Sequence, residues 1–359
     1  MLVYWCLFLY FASGSLIEQA NSAAVAASGQ PNARIYAGVS KGLLRFGLFL
    51  TALLIGFRFK VGADWRSYAE IFYSTRFQTF ADIPKIGDPG YYLLNIVVQG
   101  LGADLWLVNL VCGIIVAIGI CRFAEVQARP WLTVLVAVPY LIIVVAMGYT
   151  RQAVSIGFIL MAMASYIRTT SVVRVGIYVV LAAMFHRTAI IALPFIAVGN
   201  ERARFIQLLV SVILAYLLYY LFLSNSLDRY ISNYIDARYA SEGAGVRIAM
   251  DFFPAVLLFL RRSKLGFSTV EWRIWRNLAL VALGLPAVLV LLPSSAALDR
   301  IALYIIPLQL AVLSRPKSVF ATEGVGTLLI IIYLATVQFT WLNYAHHARY
   351  WVPYHLWSF

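Results

Sequence analysis

Long apolar runs without charge alternate with short polar segments along the whole chain. A membrane-spanning helix needs about 20 mostly apolar residues, and the runs lack the period-2 alternation of a membrane barrel. The pattern predicts an all-α polytopic membrane protein, a single integral membrane domain over residues 1–359 with about twelve transmembrane helices. The uncharged runs are 1–17, 46–57, 105–121, 130–150, 152–167, 175–186, 188–200, 205–227, 277–298, 301–314 and 324–348, and 246–260 is apolar apart from Arg247 and Asp251 near its start.

Several stretches do not fit this spanning pattern. Residues 91–101 are apolar but too short to cross, so they predict a re-entrant or interfacial helix. Residues 18–34 are small and polar and predict a loose cytoplasmic loop. Residues 58–90 and 224–245 form the two longest polar loops, and the second reads as an amphipathic helix lying on the membrane or covering a cavity.

The run 175–200 has two interpretations, because His186 and Arg187 stand at its middle. It forms either one long helix or two short helices that meet at this pair, and the choice reverses the orientation of everything downstream. With two helices, the basic clusters of the other loops share one side, which the positive-inside rule makes cytoplasmic. The hairpin is favoured, and it places both long polar loops outside.

The amino-acid composition supports the membrane assignment, and the distribution of charge excludes one class of partner. Hydrophobic residues make up 62% of the chain and charged residues 12%, against about 45–50% and 25% in soluble domains. The net charge of +13 comes from short clusters between apolar runs. That distribution is typical of membrane orientation signals and argues against nucleic acid as a partner.

A few cations lie inside apolar sequence, where they are costly unless they face a wet cavity or an anion. They are Arg151, the His186–Arg187 pair and Arg300, which follows Asp299. In the predicted orientation all of them lie near the extracytoplasmic face. The short helices around His186 predict that this residue sits below the surface, at the floor of a wet funnel.

Nucleotide-binding, zinc-protease and serine-hydrolase motifs are absent from the sequence. A synthetic reaction outside the membrane needs a donor that is already activated, and a polyprenyl diphosphate carrying a sugar chain meets that need. Arginine suits multidentate phosphate contacts, so we expect Arg151, Arg187 and Arg300 to bind the diphosphate and stabilise it as a leaving group. We expect no metal and no cofactor, because arginine supplies the positive charge.

Two residues are candidates for the base that activates an acceptor hydroxyl. His186 has a pKa range suited to proton transfer, or it hydrogen-bonds the diphosphate instead. Asp64 follows Gly62, which permits a tight turn, and it either caps the next helix, serves as the base or pairs with an arginine. Trp65 and Tyr68 lie in the same segment, where aromatic rings can stack on sugars.

Short segments around these residues occur in a fixed order along the chain. They are Val61-Gly-Ala-Asp64-Trp-Arg-Ser-Tyr68, Asp88-Pro-Gly-Tyr91, Gly148-Tyr-Thr-Arg151-Gln152-Ala153, Phe185-His186-Arg187-Thr188-Ala189 with Pro194, Asp299-Arg300 with Tyr304, and Tyr350-Trp-Val-Pro353-Tyr354. In this order the segments resemble the EpsG/Wzy-type polysaccharide (O-antigen/exopolysaccharide) polymerase family, and the resemblance covers most of the chain.

The resemblance implies a membrane glycosyltransferase with a GT-C-like outward-facing cavity, which joins lipid-linked repeat units outside the bacterial inner membrane. It carries function to Asp64, Tyr68, Arg151, Gln152, His186 and Arg300, and Arg66 in the first segment is assigned to substrate binding as well. The family's glutamate before the Gly-Tyr pair is replaced around Asp88, so no catalytic role is carried over there.

The implied partners are a polyprenyl-diphosphate-linked oligosaccharide and the lipid bilayer, and a chain-length regulator is left open as a third. Two other classes also remain open, a lipid-linked glycan ligase and a polysaccharide flippase or transporter. A transporter places cations deep in several helices, with a site open to both faces. The clustering of the cations toward one face favours the enzyme.

Overall fold

The computed structural model describes residues 1–28, 33–79, 88–192, 243–291, 295–320 and 322–358, together with Ile213 and Tyr216. Within these ranges the chain is helical, and its only β pairing is an isolated bridge between Arg58 and Leu356. The predicted all-α class is therefore confirmed. The second outer loop, with its Tyr230 and Tyr234, lies outside the described residues except for its last three positions.

The α-helices are numbered in chain order. They are α1 (Leu2–Ser28), α2 (Ala33–Gly56), α3 (Trp65–Ser74), α4 (Pro89–Gly100), α5 (Leu105–Ala124), α6 (Pro130–Ala137), α7 (Thr150–Thr169), α8 (Val172–Phe185), α9 (Ala244–Leu260), α10 (Thr269–Leu291), α11 (Ala296–Ala302), α12 (Ile306–Leu313), α13 (Pro316–Val319) and α14 (Glu323–Tyr344). A π-helix, Val138–Ala146, continues α6, and short 3-10 helices cover Thr75–Phe77, Arg187–Ala192 and His346–Tyr350.

Among the described helices, four are long and apolar enough to cross a membrane. These stretches are Gly38–Gly56, Leu105–Ala124, Thr269–Leu291 and Glu323–Tyr344. Their outer surfaces carry exposed apolar side chains such as Phe46, Phe49, Leu328 and Ile332. Rows of exposed apolar residues are rare on water-facing surfaces, so this is a membrane protein. The figure of about twelve spans stays a prediction.

The chain divides into two compact units. Unit 1 comprises Met1–Arg76, Asn95–Ala153 and Leu313–Phe359, and unit 2 comprises Phe77–Leu94 and Val154–Val312.

Unit 1 is built on close packing of α2 against α5 and of α1 against α6. A side chain on Gly113 would come within 2.9 Å of the Ala52 carbonyl oxygen, so the small residue lets the two backbones approach. Membrane helices commonly associate through small residues in this way. Asp104 starts α5, because its carboxylate accepts a 2.7 Å hydrogen bond from the Leu105 backbone.

A buried ion-pair network ties three helices of unit 1 together. Arg129, just before α6, lies 2.9 Å from Glu18 of α1 and 2.6 Å from Glu323 of α14. The Arg129 side chain is only 7% exposed. Loss of Glu18 or Glu323 would therefore remove one of the carboxylates that neutralise this buried positive charge. The predicted loose loop over 18–34 is therefore wrong for 18–28, where α1 continues through an alanine-rich, helix-favouring segment.

Unit 2 packs α9 against α10 and places α11 beside α9, α10 and the 3-10 helix Arg187–Ala192. The helix α8 ends at Phe185, and the backbone of His186 is extended. The break therefore falls at the pair that the sequence singled out, and a single long helix over 175–200 is wrong. The remainder of the predicted second helix, residues 193–200, lies outside the described residues.

Two apolar runs are not single regular helices. The run 130–150 holds the nine-residue π-helix and a break at Tyr149, before α7 starts. The run 301–314 is split between α11 and α12 by a turn at residues 303–305. Hydropathy alone cannot separate a straight helix from an interrupted one, because both bury the same residue types. Both interruptions lie at candidate site residues.

Candidate functional site

The predicted site residues fall into two clusters, one in each unit. The first, here called the Arg151 cluster, consists of Gly62, Tyr68, Gly148, Arg151 and Trp351. Its members come from three of the matching segments, which lie far apart in the sequence.

Tyr68 and Arg151 form the centre of the Arg151 cluster. The guanidinium carbon of Arg151 lies 5.7 Å from the centroid of the Tyr68 ring, a distance at which a cation is attracted to a ring face. The Tyr68 hydroxyl is 3.5 Å from the Arg151 backbone nitrogen. Burial raises the pKa of Tyr68 above its ordinary value, although Arg151 acts to lower it. Tyr68 is therefore a neutral hydroxyl at physiological pH.

Close backbone approach explains the two glycines of this cluster. Gly62 has a φ of +107°, and a Cβ there would overlap the Met147 carbonyl oxygen. A Cβ on Gly148 would overlap the ring of Trp351. Glycine is the residue that tolerates both conditions, so these positions fix how the start of α3, the start of α7 and the C-terminal segment meet.

Trp351 anchors the C-terminal segment in unit 1. Its side chain is fully buried, its indole donates a 2.8 Å hydrogen bond to the Ile143 carbonyl in the π-helix, and its own carbonyl accepts a 2.7 Å bond from Tyr4. The tail segment of the family resemblance thus packs directly against the segment that leads to Arg151.

Three further predicted site residues of unit 1 are Asp64, Gln152 and Arg66, which differ in burial and in the contacts they make. Asp64 occupies the position just before α3, but its side chain makes no capping hydrogen bond, so the capping interpretation is wrong. The negative charge of Asp64 acts to raise the pKa of Tyr68. Gln152 is buried, whereas Arg66 is largely exposed and pairs with Glu70 at 2.9 Å.

The second cluster, here called the His186 cluster, lies in unit 2 and consists of Asp88, His186, Arg187, Thr188 and Tyr304. His186 Nδ1 is 2.6 Å from the Thr188 hydroxyl and 3.5 Å from the Tyr304 hydroxyl. Thr188 also donates to Tyr304 at 3.3 Å. His186 is 7% exposed, so its imidazole is held by neighbours that can fix its tautomer.

Asp88 joins this cluster through Arg187. Its carboxylate lies 3.8 Å from Arg187 Nε and accepts a 3.3 Å hydrogen bond from the Arg187 backbone. Pro89 starts α4 as a favoured first helical residue. A Cβ on Gly90 would come within 3.0 Å of Met184, so the glycine lets α4 start close to the end of α8. Asp88 itself has a φ of +56°, a conformation that aspartate tolerates better than most residues.

Arg300 lies on α11, the helix beside the 3-10 helix that begins at Arg187. The Tyr304 hydroxyl, shortly after α11, is 3.0 Å from Ser155. Unit 2 therefore holds His186 and Thr188 at one buried tyrosine, with Arg187 and Arg300 on the two short helices that pack beside each other. Arg151 belongs to unit 1, so the convergence of all three arginines on one diphosphate stays a prediction.

Three features of the two units are not predicted from the sequence. The resemblance carries no role to Asp88, because aspartate replaces the expected glutamate, although the carboxylate beside Pro-Gly-Tyr is a detectable signal. Asp299 pairs with Arg247 at 2.6 Å, and the available signal is an arginine one turn before Asp251 in an apolar run. The polar pattern predicts Arg58 as the first residue of a loop, but its side chain is 1% exposed.

Within the described ranges, no group of three or more His, Cys, Asp or Glu side chains is arranged to hold a metal ion. The expectation that the chemistry needs no metal stays a prediction.

No curated protein and no solved structure matches this chain. The sequence profile of the EpsG family matches residues 43–356. That range includes both clusters and nearly the whole chain, and the family is one of polysaccharide-polymerase-type membrane proteins. The resemblance read from short segments is thereby confirmed, and the chain belongs to the EpsG family.

Proposed function

We propose that this protein is a glycosyltransferase that polymerises polysaccharide on the extracytoplasmic face of the bacterial inner membrane. Its donor is a growing glycan on a polyprenyl diphosphate, and its acceptor is the next lipid-linked repeat unit. The observation that carries the proposal is the buried His186 cluster, in which His186 contacts Thr188 and Tyr304 and Arg187 lies beside Asp88, with Arg300 on the neighbouring helix α11. Membership of the EpsG family supports the same class of reaction.

The reaction transfers a glycan between two oxygens. The acceptor hydroxyl attacks the anomeric carbon of the donor sugar, its proton passes to a base, and the bond from that carbon to the diphosphate oxygen breaks. The electron pair of that bond leaves with the diphosphate. Preorganised cations stabilise such developing charge, and this is the role we assign to Arg187, Arg300 and Arg151.

His186 is the base that the described contacts favour. A neutral imidazole has one donor and one acceptor nitrogen, and Nδ1 is occupied by the Thr188 hydroxyl at 2.6 Å. That contact orients the ring, and when Nδ1 donates to Thr188, Nε2 is the nitrogen that can accept a proton from a substrate hydroxyl. Asp64 remains the second candidate, because it lies at the start of α3 and acts on Tyr68 beside Arg151.

The first test is reconstitution of the purified protein in liposomes with a synthetic polyprenyl-diphosphate-linked repeat unit. We expect the wild type to form a ladder of products, each longer by one repeat. Arg151→Ala should leave only the single unit, because one cation at the leaving group is lost. Removal of one such electrostatic contact typically costs about 100- to 1,000-fold in rate.

Arg262→Ala is the matched control for Arg151→Ala. Arg262 also lies over an aromatic ring, with its guanidinium carbon 4.4 Å from the Trp272 centroid, but it is exposed in a polar segment. We expect this variant to give the full ladder. A normal ladder from Arg151→Ala at normal protein level would refute the role of Arg151, and the absence of any ladder from the wild type would refute the function.

A further inference from the structure

Arg58 is a buried charge that neither cluster explains. It lies two residues beyond the end of α2 and is 1% exposed. An arginine at the end of an apolar helix usually extends to water or headgroups, and full burial of this residue type is rare without hydrogen-bonded partners. The Arg58 side chain instead turns into unit 1.

The guanidinium of Arg58 connects three distant segments. It donates to the Ile55 carbonyl, to Asn109 Oδ1 at 3.0 Å and to Thr150 Oγ1 at 2.7 Å. Asn109 belongs to α5, and Thr150 is the first residue of α7. A planar group with five donors can hold several acceptors at fixed angles, which a lysine ammonium cannot reproduce.

Arg58 also contacts the helix that carries Tyr68. Its guanidinium carbon lies 6.0 Å from the ring centroid of Trp65, the first residue of α3. Tyr68 follows one turn later on α3, and Arg151 follows Thr150 directly on α7. Arg58 thus holds the first residues of both helices whose side chains meet in the Arg151 cluster.

We propose that Arg58 is a positioning residue, which fixes the start of α7 against the start of α3 and so keeps Arg151 over the Tyr68 ring. Its burial leaves no surface for a substrate, so it acts through Thr150 and Trp65. This inference rests on the proposed function, since polymerisation is its readout. A cation displaced from the leaving group loses transition-state stabilisation, and small displacements are costly in such sites.

Substitutions at Thr150 give the sharpest test, because valine removes one hydrogen bond with little change of side-chain shape. Thr150→Val lacks the hydroxyl that Arg58 holds, and we expect kcat for polymerisation to fall about 10- to 100-fold with a smaller change in KM. Thr150→Ser keeps the hydroxyl and should restore most of the rate. A purely structural role would not make the rate follow the hydroxyl.

Arg45→Gln is the matched control. Arg45 lies at the middle of α2 and pairs with Glu125, the residue after α5, at 2.7 Å, so it links the same two helices at a different place. Its side chain is 62% exposed, and exposed ion pairs contribute little. We expect its kcat to stay within about twofold of the wild type.

A double-mutant cycle tests whether Arg58 and Thr150 act through one contact. If they do, Arg58→Gln combined with Thr150→Val should be no slower than Arg58→Gln alone. If Arg58→Gln does not fold, the valine and serine variants at Thr150 decide the matter. A wild-type rate in Thr150→Val, equal losses in the valine and serine variants, or additive losses in the double variant would each overturn the positioning role.

Failure of this inference differs from failure of the proposed function. If the wild type forms no polymer from the synthetic repeat unit, the function is wrong. If the wild type and Thr150→Val form polymer at the same rate, only the role of Arg58 is wrong.

Discussion

In the Arg151 cluster, backbones approach so closely at Gly62 and Gly148 that an added methyl group would overlap a neighbour. In the His186 cluster, by contrast, side chains meet through hydrogen bonds and an ion pair. The first cluster therefore depends mainly on shape and the second mainly on polar complementarity. Changes of volume should damage the first, and changes of charge or of proton-carrying groups should damage the second.

The largest expected effect is in the polar cluster, at His186. His186→Ala removes the proposed base, and general-base catalysis typically contributes about 100- to 10,000-fold. In the reconstitution assay we expect kcat of His186→Ala to fall by this factor. A kcat close to that of the wild type would point to Asp64 as the base.

The next largest loss of polymerisation is expected when the negative charge of Asp88 is removed. Asp88→Asn keeps the size of the side chain but leaves the buried Arg187 without the carboxylate at 3.8 Å. Loss of one partner from a desolvated charge pair costs about 2–5 kcal/mol, so we expect polymerisation to fall about 30-fold or more.

Asp88→Glu is the control, since it retains the charge, and it should keep substantial polymerisation in the same assay. Equal loss in the asparagine and glutamate variants would mean that shape, rather than charge, matters at Asp88. The two clusters would then not differ as described.

A smaller effect is expected from volume in the Arg151 cluster. Gly148→Ala forces a methyl group into the ring of Trp351, and overpacking of this kind costs about 1–3 kcal/mol. The measurement is the unfolding temperature of the detergent-solubilised protein. Gly42→Ala, where a Cβ would meet nothing within 4 Å, should leave that temperature unchanged or raise it, since alanine favours helix over glycine.

The smallest effects compare one tyrosine from each cluster. Tyr304→Phe removes a hydroxyl that contacts Ser155 and Thr188, and a typical hydrogen bond contributes about 0.5–1.5 kcal/mol. We expect about a two- to tenfold loss of rate. Tyr68→Phe keeps the ring under Arg151 and should lose less. The reverse order of the two variants would contradict the distinction between shape and polar contact.

The sequence predicts the helical class, the membrane setting and the break at His186–Arg187 well, because each follows from apolar runs and the position of a charge in them. It also identifies most residues of both clusters, through the short segments that resemble the family. It cannot tell lipid-facing from protein-facing positions in an apolar run, since both are apolar. That is why the burial of Arg58 and the turn at Tyr304 were not anticipated.

The structure of polar segments depends on partners that are distant in the sequence. The composition of residues 18–28 predicts a loop, but alanine favours helix and Glu18 pairs with Arg129, more than a hundred residues away in the sequence. Similarly, the ion pair between Asp88 and Arg187 joins two residues that are far apart in the sequence, so neither residue alone indicates it. Pairings of this kind depend on tertiary packing, which local patterns do not encode.

Polymerisation of lipid-linked repeat units on the outer face can be tested by mass spectrometry of lipid-linked glycans from a deletion strain. We expect single repeat units on polyprenyl diphosphate to accumulate, exposed outside the membrane, and a plasmid carrying the wild-type chain to restore long polymer. Long glycans retained on the lipid would indicate a ligase instead, and single units trapped on the cytoplasmic face would indicate a flippase. Either result would refute polymerisation as the function of this protein.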